Sequence, residues 1–313
     1  MLFNSIENCI MGTHFKVPRL QHVLSLIKEL APAEGYTQSL IENVLFMRSD
    51  RALTRMPTLY EPSIVIVLQG RKRGFYNDEQ YVYDANNYLV VSVPLPFEVE
   101  TEATSDSPML GIVLHIDLTV LAELVVSLSK ENMSSILAPK ALYASYMDEN
   151  FENAVFRLID VLHSPIEAKI LGPSIYREIL YRVLNSEQGN GLKETLLQNN
   201  NFGKIAKTLQ HIHTYYDKKL DVNHLAMQAN LSIPSFHAYF KAVTSTSPIQ
   251  YIKAIRLHKA RLMMIRDESN IDDTARRVGY ESASQFSREF KRLFGSSPTE
   301  EVKNLKTVLS ISS

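Results

Sequence analysis

The sequence of 313 residues is 45% hydrophobic and 21% charged, ordinary globular usage that excludes a wholly disordered chain. The longest aliphatic run, Ile64 to Leu68, falls far short of the roughly 20 apolar residues a bilayer requires. The single Cys9 excludes an internal disulfide and a cysteine-cluster metal site.

At roughly 150 residues per domain, about two domains are expected. The N-terminal residues lack the apolar block of a secretory signal, so a cytoplasmic protein without membrane contact is expected. The net charge of −1 hides a partition. Residues 1–200 carry 16 Lys+Arg against 24 Asp+Glu, whereas residues 201–313 carry 17 against 10. A basic C-terminal third on an acidic body is the asymmetry expected when one domain meets a polyanion, although an unevenly charged solvated surface gives the same counts.

In chain order, Leu20, Val23, Leu24, Ile27 and Leu30 have helical spacing. From Leu59 to His115 the texture is that of short strands. Ile64–Leu68, Gln80–Tyr83, Tyr88–Val93, Phe97–Glu100 and Leu110–Ile116 are β-branched or aromatic and are separated by turn residues. That spacing predicts a small antiparallel barrel or sandwich. Leu118–Leu128, Phe151–Leu162 and Ile175–Leu184 return to a helical period, the last two forming a hairpin across the His163–Pro173 loop. An exposed remainder of their apolar stripes would serve as a dimer seam. The Gly- and Asn-rich segment Asn185–Gly203 reads as a linker with a short helical piece near Leu192–Leu197. The predicted domains are therefore 1–200 and 201–313.

The C-terminal third contains an internal repeat. A shift of 50 residues superposes Ser232 on Ser282, Phe236 on Phe286, Phe240 on Phe290, Lys241 on Lys291, Ser247 on Ser297 and Pro248 on Pro298. Each copy reads as a short helix with small residues (Leu225-Ala226, Ala275), a tight turn, and a second helix opened by a capping Ser. Phe at i and i+4 anchors that second helix. Small residues allow two helices to cross closely around a short turn, which is helix-turn-helix geometry. Gly279 supplies one turn and Asn230 the other, both residues that accept a left-handed backbone. Ser-Pro after each unit reads as N-cap plus first helical residue, so Pro248 opens a long helix through Arg266 that joins the units. A plain helical bundle of duplicated hairpins is the competing reading.

The stretch Gly279–Lys291, followed by Gly295-Ser296-Ser297-Pro298, resembles the signature of the AraC/XylS-type transcription regulators. Leu231–Lys241 with Ser247-Pro248 matches its partner motif. Tyr60–Ser63, Gln69–Lys72, Tyr83–Ala85 and Tyr88–Val93 resemble the region that precedes this DNA-binding domain in one subgroup. The resemblance covers about residues 55–305. It implies an α+β protein with an N-terminal cupin-like β-barrel plus helices and a C-terminal all-α domain of two helix-turn-helix units joined by a linker helix. It also implies dimerisation through the N-terminal portion and double-stranded DNA read in two successive major grooves.

A recognition helix lays its N-terminal residues against base edges. Opposite the Phe anchors, the second unit offers Ala283, Ser284, Gln285, Ser287 and Arg288. Arg288 suits guanine O6/N7 and Gln285 suits adenine N6/N7. The first unit offers Ile233, Pro234, Ser235, His237 and Ala238, of which only Ser235 and His237 can hydrogen-bond a base. Ala238 stands where the family commonly has a longer polar residue. Ser232, Lys241, Ser282 and Lys291 are expected at phosphates, which position without specifying sequence.

The barrel stretch contains one His, His115, with His14, His22 and His163 outside it. A 2-His-1-carboxylate centre needs more ligands than that, so no metal, cofactor or catalytic set is expected. Arg71, Lys72 and Arg73 follow the Gly70 turn, either as solvated charge or facing an anionic ligand. Cys9 is a conceivable redox sensor. The expected partners are DNA, a second copy, a small-molecule effector of unknown identity and RNA polymerase. The alternatives are an N-terminal domain that only dimerises or binds a protein, and a cupin-type enzyme fused to a helical module.

Overall fold

The computed structural model describes residues 18–128, 139–196, 201–267 and 270–308. Cys9 and His14 lie outside them. Helix α1 (residues 18–30) buries Val23, Leu24 and Ile27, as the spacing predicts. The strands β1 (Gly35–Gln38), β2 (Val44–Ser49), β3 (Leu53–Tyr60), β4 (Ser63–Gln69), β5 (Arg71–Tyr76), β6 (Glu79–Asp84), β7 (Asn87–Val91), β8 (Leu95–Glu102) and β9 (Met109–His115) follow. Helix α2 (Leu118–Leu128) precedes β10 (Leu142–Tyr146). The sheet runs β1-β2-β9-β4-β7-β6-β5-β8-β3, with β10 on β7, and every pairing is antiparallel. The edges β1 and β3 do not pair, so the sheet is a curled half-barrel rather than a closed one.

Residue alternation divides this sheet into two faces. On β4, Ile64, Ile66 and Leu68 point to a core shared with α1, α2 and the helices that follow β10. Val65 and Val67 point inward, where they join Met109 and Val113 from one half of the curl and Tyr83, Phe97 and Val99 from the other. Continuous apolar runs such as Ile64–Leu68 are therefore buried on both sides.

Helices α3 (Glu149–Val161), α4 (Pro165–Ile170) and α5 (Gly172–Leu184) form the expected hairpin, with one difference. The segment read as a loop contains α4, capped by Ser164, whose Oγ accepts from Glu167 N. Pro165 at its first turn is compatible with a helix start, so a Ser-Pro pair taken for a loop is a cap. Helix α6 (Asn190–Leu196) is the short piece expected in the linker.

Strands β1, β2 and most of β3 precede the predicted strand stretch, and β5 and β10 fall outside the predicted strands. Strand β5 corrects the expectation for Arg71-Lys72-Arg73. Gly70 (φ 77°) turns the chain, but the three cations begin a strand rather than occupy a turn. Arg71 and Arg73 lie on the outer face, where Arg71 pairs with Asp84 and Arg73 with Glu100 at 2.7 Å and with Glu102. Lys72 points inward and is buried.

The C-terminal helices are α7 (Asn201–Thr214), α8 (Val222–Gln228), α9 (Ile233–Thr244), α10 (Pro248–Asp267), α11 (Ile271–Arg277), α12 (Ala283–Phe294) and α13 (Pro298–Val308). They pack directly on the half-barrel. Tyr251 Oη donates to Pro94 O at 2.6 Å, Arg261 Nη1 to Pro57 O at 3.1 Å, and Tyr76 Oη to Val243 O at 2.9 Å. Glu61, in the β3–β4 turn, faces Lys259 Nζ of α10 at 3.1 Å and His213 Nδ1 of α7 at 3.3 Å. Burial alone would push the Glu61 carboxyl up. The proximity of His213 and of the Lys259 ammonium prevails and holds it at about 2.

Candidate nucleic-acid interface

The two helix pairs have the same internal construction. In the first, Ala229 closes α8, Asn230 takes φ 51°, and Leu231 N bonds Ala226 O at 3.1 Å. In the second, Gly279 takes φ 84° and Tyr280 N bonds Ala275 O at 2.8 Å. These positions are 49 residues apart, whereas the capping serines are 50 apart. The second turn is longer by one residue, Glu281, between Tyr280 and Ser282. The Oγ of Ser232 accepts from Ser235 N and that of Ser282 from Gln285 N. Both serines are therefore caps, the role the sequence suggested. Each second helix ends on a left-handed residue, Ser245 (φ 56°) and Gly295 (φ 81°).

The Phe anchors are fully buried: Phe236 and Phe240 lie 5.5 Å apart, and Phe286 and Phe290 5.6 Å apart. Burying that stripe leaves the opposite side free. Ser232, Ile233, Pro234, His237 and Ala238 are exposed on the first unit and Ser235 is half-buried. On the second, Ser282, Ser284, Gln285 and Arg288 are exposed, with Ala283 and Ser287 half-buried. Lys241 and Lys291 are exposed on the last turns. Arg288 makes no hydrogen bond or ion pair with a described residue.

Gln285 is engaged differently. Its Nε2 donates to Glu289 Oε1 at 3.1 Å. Glu289 also takes Lys253 Nζ of α10 at 2.7 Å and Tyr280 Oη at 2.8 Å. Burial would raise the Glu289 carboxyl, but these three donors hold it below its ordinary value. The cluster fastens α12 to the joining helix, and sequence reasoning missed it. The i,i+4 spacing of Gln285 and Glu289 was the available signal. Sequence reasoning also missed Tyr239, half-exposed beside His237, and Arg292, exposed beside Lys291.

Helix α10 opens at Pro248, with Ser247 Oγ accepting from Gln250 N at 3.4 Å, and runs unbroken to Asp267. Helix α13 opens with a capping box: Ser297 Oγ accepts from Glu300 N, and Glu300 Oε2 accepts from Ser297 N. Elsewhere, His115 ends β9 half-buried, and burial lowers its pKa. No group of three or more His, Cys, Asp or Glu suited to a metal occurs among the described residues. No described helix is long and apolar enough to cross a membrane.

A curled antiparallel sheet domain followed by two helix-turn-helix units on one continuous helix defines a class of two-domain DNA-binding regulators. Residues 40–191 match the model of the AraC-type transcriptional regulator N-terminus, and residues 225–304 match that of a helix-turn-helix domain. The chain belongs to the AraC-type transcriptional regulators. It is 34% identical to the HTH-type transcriptional regulator AlkR of Acinetobacter baylyi over 30% of this chain and 31% of that protein. It is 27% identical to the transcriptional activator RhaS of Escherichia coli over 47% of this chain and 52% of that one. The matches therefore span about half or less of these curated relatives. The fold is similar to that of ToxT from Vibrio cholerae, solved with an unsaturated fatty acid bound. The TM-score is 0.56 at 13% identity, covering 86% of this chain and 97% of that one.

Proposed function

We propose that the protein regulates transcription by binding double-stranded DNA sequence-specifically, placing the N-terminal turns of α9 and α12 in two successive major grooves. One observation carries this reading: two copies of the same capped helix, each anchored by paired Phe, expose their remaining face and are joined by one continuous helix. Arg288 reads guanine as the strongest base contact. Gln285 reads adenine after exchanging its Glu289 bond, and Ser284, Ser287, Ser235 and His237 supply weaker contacts. Lys241 and Lys291 hold phosphates, as do the hydroxyls of Ser232 and Ser282 beside the exposed helix N-termini.

In this reading residues 1–200 form the effector and dimerisation domain and residues 201–313 the DNA-binding domain, acting in the cytoplasm without an enzymatic step. The shared packing around Glu61, Pro94 and Val243 would carry an effector signal from the sheet to α10. A homodimer, a small-molecule effector and RNA polymerase complete the expected partners. Exposed Ile166 and Ile170 on α4 supply apolar surface for the dimer. The test is selection of binding sites from randomised duplexes with the wild type and Arg288→Ala. A single enriched motif, with one base pair relaxed in the variant, is expected. No enrichment would overturn the reading.

A further inference from the structure

Helix α10 serves two separate cores. Its first half gives Tyr251, Ile252 and Ile255 to the cluster that holds Phe236 and Phe240. Its second half gives Leu257, Ala260 and Met264 to the cluster that holds Phe286 and Phe290. Arg256 falls between them, half-buried. Its Nε donates to Tyr216 O at 2.8 Å and its Nη2 to Lys218 O at 2.7 Å, both in the loop of residues 215–221 that leads into α8. Its Nη1 donates to Gly279 O at 2.9 Å, in the turn between α11 and α12. One guanidinium therefore ties the entry of the first unit to the turn of the second. The two segments also meet directly. A Cβ on Gly279 would stand 2.7 Å from Asp217 O, and the Tyr216 ring packs against both clusters. The Lys253–Glu289 pair, by contrast, joins α12 to α10 alone.

Apolar burial is non-directional, so a unit held on a helix by apolar contact alone can still tilt about it. Hydrogen bonds are directional, and three of them from one planar fork to carbonyls of both units remove that freedom. A lysine at this position would keep the charge but lose the fork. On DNA, each base pair advances a groove by about 3.4 Å and turns it by roughly 36°. A seam that fixes the tilt of α12 against α9 therefore fixes which separation of two groove segments fits the protein.

We propose that Arg256 is a positioning residue for DNA recognition: by clamping Tyr216 and Lys218 to the Gly279 turn, it sets the angle between α9 and α12 and so the separation of the two groove segments that the protein accepts. This rests on the reading of α9 and α12 as helices that enter successive grooves.

The experiment uses the full-length protein and a duplex selected for tight binding by the wild type. One base pair is deleted, or one or two are inserted, between the two protected segments. Wild type should bind the parent duplex at least about tenfold more tightly than any respaced one, the value of one lost base contact. Arg256→Lys and Arg256→Gln should bind the parent more weakly and all four duplexes within about threefold of one another, while keeping the guanine preference of Arg288. A merely structural loss lowers binding to every duplex alike, so variants that keep the wild-type spacing profile, or that lose the Arg288 preference, overturn the proposal. A wild type indifferent to spacing overturns the two-groove reading itself, an outcome distinct from spacing-selective variants. A second measurement needs no DNA. With Cys9→Ser, spin labels at Ala238→Cys and Ser284→Cys, both exposed, report the α9–α12 separation by pulsed electron paramagnetic resonance. The distance distribution should be broader in Arg256→Lys than with Arg256 in place, while the amides of α9 and α12 stay protected from hydrogen exchange. Equal widths, or loss of protection in α12, overturn the proposal.

Discussion

Replacing Gly279 by Ala should loosen the second helix-turn-helix unit far more than replacing Asn230 by Ala loosens the first. At φ 84° a side chain pays roughly 1–2 kcal/mol for the left-handed backbone. The added Cβ would also stand 2.7 Å from Asp217 O and 3.0 Å from Cζ and Nη2 of Arg256. Arg256 is a keystone of the unit: its guanidinium donates to Tyr216 O, Gly279 O and Lys218 O at 2.7–2.9 Å. Displacing it sacrifices at least one charged hydrogen bond, about 1.5 kcal/mol or more. The total is about 3 kcal/mol, against about 1 kcal/mol for Asn230→Ala, where only the Asn tolerance of φ 51° is lost. A two-domain chain does not melt in one step, so hydrogen exchange of the α12 and α9 amides is the proper assay. Exchange in α12 should quicken by roughly a hundredfold in Gly279→Ala, and in α9 by about fivefold in Asn230→Ala. Equal effects in the two units, or none in α12, would refute the role assigned to the turn.

Arg288→Ala should cost about 1–3 kcal/mol in DNA affinity and relax one base pair, whereas His237→Ala should cost less and relax fewer, measured on a base-by-base substituted site. Phe286→Ala, which empties a fully buried anchor, should destabilise the second unit by about 3–5 kcal/mol in denaturant titrations that follow α12. The Glu61 carboxylate is held near 2, below its ordinary 4.5, so its stabilisation is complete above pH 4.5 and is lost as pH falls toward 2. Its side chain is 41% exposed, so solvent screening limits the contribution to about 1 kcal/mol. Acid unfolding of wild type and Glu61→Gln should differ at pH 6 and converge at pH 2; a difference that grows in acid would contradict the sign. DNA affinity should fall by about 0.9 log unit per log unit of salt for each phosphate contact, and a flat dependence would exclude Lys241 and Lys291 from the backbone.

The DNA-binding half was legible because its determinants are local. Capping serines, paired Phe at i,i+4 and a left-handed turn residue are short-range signals, and the repeat presented each of them twice. Comparison at a single shift of 50 concealed Glu281, since an insertion of one residue within a turn leaves the serines and phenylalanines in step. The half-barrel was legible only in its central strands. Strand β5 reads Arg-Lys-Arg-Gly, poor in strand formers, and forms because β6 and β8 flank it on both sides and its outward arginines meet cross-strand carboxylates. The joins between domains were not legible. Tyr251 with Pro94 and Lys259 with Glu61 are separated by more than 150 residues, and no periodicity records such a pairing.

The most direct measurement is a hydroxyl-radical and missing-base footprint of the protein on a duplex selected for tight binding. Two recognition helices held by the α10 rod should protect two major-groove segments about one helical turn apart on one face of the duplex. Inserting five base pairs between them should abolish tight binding. A single protected segment per protomer, or full affinity after the insertion, would contradict two-groove reading by α9 and α12.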